Sequence, residues 1–130
     1  MLGWVRRTVV LVLLVGLLLG CRSAAASGVI AADDLARHIE AGTAPLIVDV
    51  RSPEEYAAGH VLGAINIPFQ DIDQHLAELR SHPQFVVYCE RGVRANIAEA
   101  TLSEAGLGTA LHLEGDMNGW RNRNLPTETD

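Results

Sequence analysis

Apolar residues fall along this chain in bursts, and their spacing switches between two periods. Leu46-Ile47-Val48-Asp49-Val50 and Phe85-Val86-Val87-Tyr88 are continuous β-favouring runs, the pattern of buried parallel strands covered on both faces. Shorter runs at Val29-Ile30, Ala64–Ile67 and Thr109–Leu113 predict further strands, with Pro68 stopping the second of them. Between the runs the period becomes helical. Ala32–Ala41 sets Leu35 and Ile39 one turn apart, carries Asp33 and Asp34 where the dipole favours them, and ends at Gly42. Ser52 caps a short helix with Pro53 at its first position and Glu55 three residues on. Gly59 and Gly63 bracket the turn that follows. Gln70–Arg80 carries Ile72, Leu76 and Leu79 at helical spacing and stops at His82-Pro83. A last stripe, Ala95, Ala98, Leu102 and Ala105, runs to Gly106 as C′ cap. Strand and helix alternate, so residues 29–130 are expected to form one α/β sandwich with a mostly parallel central sheet.

The first twenty residues stand apart. Arg6 and Arg7 precede Thr8–Leu19, which is almost purely aliphatic. The run is short for a membrane span of about 20 residues and has the layout of an export signal. Leu18-Leu19-Gly20-Cys21 resembles a bacterial lipobox, with Cys21 as the lipidated residue of the mature protein. The competing reading is an uncleaved membrane anchor; both readings export and tether the domain. Residues 21–28, small and polar, read as a flexible tether. Arg22 after the cysteine, where an inner-membrane retention signal would have Asp, leans toward the outer membrane.

Charge narrows the partners. Beyond residue 20 the chain keeps eight arginines, no lysine and sixteen carboxylates, a formal charge of −8. Such a domain suits neither nucleic acid nor an anionic bilayer surface. The two cysteines are Cys21 and Cys89. Lipid on the first leaves the second without a disulfide or resolving partner. No histidine, cysteine and carboxylate set has metal-ligand spacing, and the five histidines are scattered.

Cys89 is the candidate nucleophile. It follows the buried run, and Glu90-Arg91-Gly92-Val93-Arg94-Ala95 leads from it into the last helix. That junction lies at the carboxyl end of a strand, where open α/β sheets form their ligand crevice. Loop amides, the helix N-terminus and two arginines there favour the thiolate. The bland alternative, a buried cysteine packing as a small hydrophobe, fits poorly with three charged neighbours.

Cysteine phosphatases resemble this loop but carry Cys-x5-Arg, whereas Cys89 and Arg94 are spaced Cys-x4-Arg. A shorter cradle leaves less room for phosphate. Its length and the segment Cys-Glu-Arg-Gly-Val-Arg resemble the rhodanese (sulfurtransferase) family. Asp49-Val-Arg51-x-x-x-Glu55-Tyr56 and Gly59-His60-x-x-Gly63-Ala64-x-Asn66-Ile67-Pro68 resemble that family's N-terminal signature, and Leu113-Glu114-Gly115-Asp116-x-x-x-Trp120 its closing segment, with Asp116 where a second glycine is usual.

The resemblance implies a rhodanese-like fold and a Cys89 persulfide taken from thiosulfate or another persulfide and passed to a thiol, sulfite or cyanide. It implies that residues 90 to 95 bind the terminal sulfur through their amides, that Arg91 and Arg94 bind the anionic donor, and that Asp49 and Arg51 lie behind the site. His60 and Asn66 would brace the turn, and Trp120 would cap the fold. Neither cofactor nor metal is expected, and the domain is expected to be a monomer. Two features argue against a fast enzyme: Ala95 stands where many active members have serine, and Glu90 sets an acid beside the nucleophile. A module that carries a persulfide or docks a protein with little turnover is the alternative. An arsenate reductase or phosphatase is disfavoured by loop length and the missing second thiol.

Overall fold

The computed structural model describes residues 28–130, so the expected export signal, Cys21 and nearly all of the expected tether fall outside the described residues. Five strands form one parallel sheet: β1 (Val29–Ile30), β2 (Leu46–Asp49), β4 (Ile65–Asn66), β5 (Phe85–Tyr88) and β6 (Leu111–Leu113). Their order, β1-β6-β5-β2-β4, puts β5 at the centre. Alternation along β5 feeds two cores, because successive side chains leave a strand on opposite faces. Phe85 and Val87 pack with Val48, Leu79, Ala98 and Leu102, while Val86 and Tyr88 pack with Leu35, Ile47, Met117 and Trp120. Cys89 continues the first set.

The helices close both faces. Helix α1 (Ala32–Glu40) buries Ala32 and Leu35, and helix α4 (Val93–Glu104) buries Ala95, Ala98 and Leu102. The expected stops hold. After α4, the Leu107 N–H bonds to the Leu102 carbonyl at 2.7 Å around Gly106, whose φ is 79°; that is a Schellman stop, and glycine is the residue that meets its backbone without strain. Helix α2 (Pro53–Ala58) starts with the capping box predicted for Ser52 and Glu55.

Three features differ from expectation. The span 70–80 is broken in two, a 3₁₀ helix at Phe69–Gln74 and α3 at Leu76–Arg80. Its first turns close three-residue bonds, Asp71 N–H to Pro68 O and His75 N–H to Ile72 O. Ile72 and Leu79 stay buried all the same. The spacing of buried residues is therefore blind to the break, and Asp71 and Asp73 are weak formers of a continuous helix. The last sheet strand starts at Leu111 rather than Thr109, after a turn at Gly108-Thr109. A second, two-stranded sheet pairs β3 (His60–Val61) antiparallel with β7 (Thr127–Glu128). Strands of two residues carry no readable alternation. Helix α5 (Asp116–Asn122) buries Met117 and Trp120, and the Trp120 indole N–H donates to the Pro126 carbonyl at 2.9 Å.

Candidate active site

Strand β5 delivers Cys89 to the sheet's carboxyl edge, 1% exposed. Its Sγ accepts a hydrogen bond from the Gly92 N–H at 3.0 Å, so the loop already turns an amide toward sulfur. Gly92 has φ 109°, and a Cβ there would stand 3.2 Å from the Asp116 Oδ2. Backbone conformation calls for glycine at this point, and the space for a side chain is tight. Helix α4 begins directly afterwards, and helix geometry leaves the N–H groups of its first turn without partners inside the helix. The positive end of the α4 dipole therefore begins next to the Gly92 amide that bonds to Sγ.

The site rests on a buried ion pair. Asp49 ends β2 in register with Tyr88, and both its oxygens are engaged by Arg51, at 3.0 Å and 3.1 Å from Nε and 2.7 Å from Nη2. Tyr88 donates its hydroxyl to the same carboxylate at 2.7 Å. Burial and that carboxylate raise the Tyr88 pKa, so the phenol stays a donor. Arg51 Nη2 also reaches the Gly59 carbonyl at 2.7 Å. Asn66 was expected to brace the Gly59–Gly63 turn, but its Nδ2 donates to the carbonyls of Asp49 and Arg51, both at 3.0 Å, and so fixes the chain leaving β2. His60 stacks on Tyr56 with centroids 3.6 Å apart and bonds to the Tyr56 carbonyl.

The charges flanking Cys89 are arranged differently from expectation. Glu90, read as an acid opposing the thiolate, is held by Arg51 Nη1 at 3.4 Å and by Arg121, so its charge is largely answered by two guanidiniums. Arg94, expected as a ligand for the donor, is gripped by Glu55 through both carboxylate oxygens, at 2.6 Å and 3.0 Å. That pair pulls the Glu55 pKa down to about 2 and ties the first turn of α4 to α2. Arg91 is exposed and makes no hydrogen bond or ion pair among the described residues. It lines an open hollow of about 390 Å³ with Gly92, Asn96, His112 and the carboxylates Glu99 and Asp116; Cys89 is not among the lining residues. Val93 is solvent-facing, and Ala95 is buried in the core, away from bulk water. Among the described residues no group of side chains could hold a metal ion.

Sequence reasoning missed what lies behind the loop. Asp116 Oδ1 accepts the Cys89 N–H at 3.0 Å, and Oδ2 bonds to His112 Nε2 at 3.0 Å. His112 Nδ1 bonds in turn to Glu99 at 3.0 Å. The Asp116 and Glu99 carboxylates raise the His112 pKa to about 10, against a smaller loss from burial. One signal was available: Asp116 departs from the family pattern and stands four residues after a histidine.

A family model for the rhodanese-like domain matches residues 31–123. The chain belongs to the rhodanese-like domain family. The sulfurtransferase of Allochromatium vinosum is 35% identical over 81 residues, covering 62% of this chain and 76% of that protein. YqhL of Bacillus subtilis, an uncharacterised protein, is 36% identical over 74 residues, 57% of this chain and 59% of YqhL, so the match spans about three fifths of that relative. The crystal structure of a rhodanese-related protein from Thermoplasma volcanium superposes with a TM-score of 0.69 at 29% identity, over 79% of this chain and 99% of that one. This rhodanese-like domain therefore has the family's fold, with its five parallel strands as the central sheet.

Proposed function

We propose that this domain transfers a sulfane sulfur through a persulfide on Cys89. The observation that carries the reading is the bond from the Gly92 N–H to Cys89 Sγ at the strand-to-helix junction. The Cys89 thiolate attacks the outer sulfur of thiosulfate, the S–S bond breaks, and sulfite leaves with the electron pair. A persulfide donor reacts in the same way and leaves as a thiolate. An acceptor thiolate, sulfite or cyanide then attacks the terminal sulfur of Cys89–S–S⁻ and regenerates the thiolate, with no net oxidation and no added cofactor. Two steps of this kind give ping-pong kinetics, and loop amides stabilise the terminal anion as an oxyanion hole would. Arg91 draws the donor. The sulfurtransferase relative supports the same chemistry.

The test uses the full chain carrying Cys21→Ser, so that Cys89 is the one thiol. Thiosulfate or polysulfide should add one sulfur atom at Cys89, visible by intact mass and discharged by cyanide as thiocyanate, with Cys89→Ser as the blank. Uptake from neither donor sinks the proposal. Uptake without steady-state turnover identifies a sulfur carrier, the reading favoured by the capture of Arg94 by Glu55.

A location goes with this function. The Leu18-Leu19-Gly20-Cys21 pattern supports export to the bacterial cell envelope and tethering by lipid at Cys21. Several acyl chains at about 0.8 kcal/mol per buried CH₂ would hold the domain firmly on a membrane. Cys21→Ser should abolish metabolic labelling with fatty acid; labelling that persists rules out this site.

A further inference from the structure

The backbone of Cys89 is held from both sides by one short stretch of chain. Asp116 Oδ1 accepts its N–H at 3.0 Å, and the next residue, Met117, donates its own N–H to the Cys89 carbonyl at 3.0 Å. Asn118 N–H bonds to the Glu90 carbonyl at 3.1 Å. The backbone bonds require only that α5 start at this place. The carboxylate does more. Asp116 sits at φ 51°, a left-handed backbone that Gly, Asn and Asp adopt more readily than other residues. It is buried, yet every oxygen is used, Oδ1 by Cys89 and Oδ2 by His112, with Glu99 bonded to the far side of that imidazole. A buried carboxylate that bonds to the backbone amide of Cys89 and is itself held by a histidine has more than packing to explain.

We propose that Asp116, anchored by His112 and Glu99, is a positioning residue for sulfur transfer: it fixes the Cys89 backbone and with it the direction in which Sγ faces the loop amides. Asp116 touches neither donor nor sulfur and acts through Cys89. The inference rests on Cys89 as the nucleophile. Its Oδ2 also stands 3.2 Å from the place a Gly92 Cβ would take, so the same carboxylate backs the residue whose N–H bonds to Sγ. Displacement of a reacting group by about 1 Å costs up to two orders of magnitude in rate, so a lost clamp is expected to show in the rate constant of the chemical step.

Two substitutions tolerate the left-handed backbone and so keep the fold: Asp116→Gly, which removes the acceptor, and Asp116→Asn, whose carbonyl oxygen accepts the same N–H. In the Cys21→Ser chain, persulfide formation at saturating thiosulfate should slow about tenfold or more in Asp116→Gly. The half-saturating thiosulfate concentration should stay within about twofold. Asp116→Asn should recover to within about threefold of the parent. A merely structural role would lower the melting temperature without splitting rate from donor affinity. Alkylation of Cys89 by iodoacetamide needs no sulfur donor and separates this inference from the function itself. Release of the clamp should expose the buried thiol and speed alkylation at least about threefold in Asp116→Gly but not in Asp116→Asn. Equal rates in parent and Asp116→Gly in both assays overturn the inference, as does an Asn variant indistinguishable from the Gly variant. Absence of sulfur uptake by the parent overturns the sulfur-transfer reading alone, and the alkylation comparison still decides the clamp.

Discussion

Arg51→Met should lower the unfolding free energy by about 3–5 kcal/mol, the cost of leaving one member of a buried ion pair without its partner. Asp49 and Arg51 are among the few buried charged residues of this domain, 0% and 2% exposed. The Asp49 carboxylate would keep the Tyr88 hydroxyl and the backbone N–H of residue 51, but lose its counter-charge and every guanidinium hydrogen bond. Methionine fills most of the vacated space, so a cavity adds little. The Gly59 carbonyl and Glu90 would each lose a donor as well. Against a typical stability of about 5–15 kcal/mol, that is roughly a fifth of the total or more. Urea unfolding of the single variant beside Asp49→Asn/Arg51→Met measures it. The double variant should regain part of the loss, because asparagine carries no charge and still accepts from Tyr88. A single-variant cost under about 1 kcal/mol would show that the pair contributes only its packing.

How far the sequence could be read depends on how local each cause is. Strand β5, the Ser52 capping box and the Gly106 stop are written in runs of a few residues, because each depends on periodicity or on one residue's backbone preference. The place of the candidate nucleophile was legible for the same reason, since Cys89 lies where the pattern changes period. The 3₁₀ helix was not, because Ile72, Leu76 and Leu79 have the same apolar spacing whether the helix is whole or broken. The charge pairing around the loop is non-local. Glu55 and Arg94 lie 39 residues apart, as do Arg51 and Glu90, and nothing in either neighbourhood announces the partner. Reading Glu90 by its adjacency to Cys89 therefore assigned it to the thiol, whereas the fold turns it to Arg51 and Arg121. His112 looked scattered along the chain and becomes part of the site only when β6 is laid beside β5.

That histidine leads to the second large effect, a fall in stability with rising pH. His112 is four-fifths buried between Glu99 on α4 and Asp116 on α5, with Arg91 across the same hollow. The two carboxylates outweigh burial, and the folded imidazolium keeps its proton to about 10, against 6.5 as the ordinary value. A raised pKa contributes stability that is fully present below the unfolded value and is lost as pH climbs through the folded one. Between those limits the folded state holds one proton that the unfolded state has released. The unfolding free energy should therefore fall by up to about 1.4 kcal/mol per pH unit, about 2.5 kcal/mol from roughly pH 7.5 to 9.5. Tyr88 adds to the slope only near and above its ordinary pKa, because its own proton is held in the folded state. His112→Gln keeps a donor toward one carboxylate and cannot titrate, so its stability should be nearly flat over the same window although lower near neutrality. Urea midpoints of both proteins across that range make the comparison. Parallel profiles would mean that the cluster holds no extra proton, and that Asp116 is kept in place by hydrogen bonds without a charged partner.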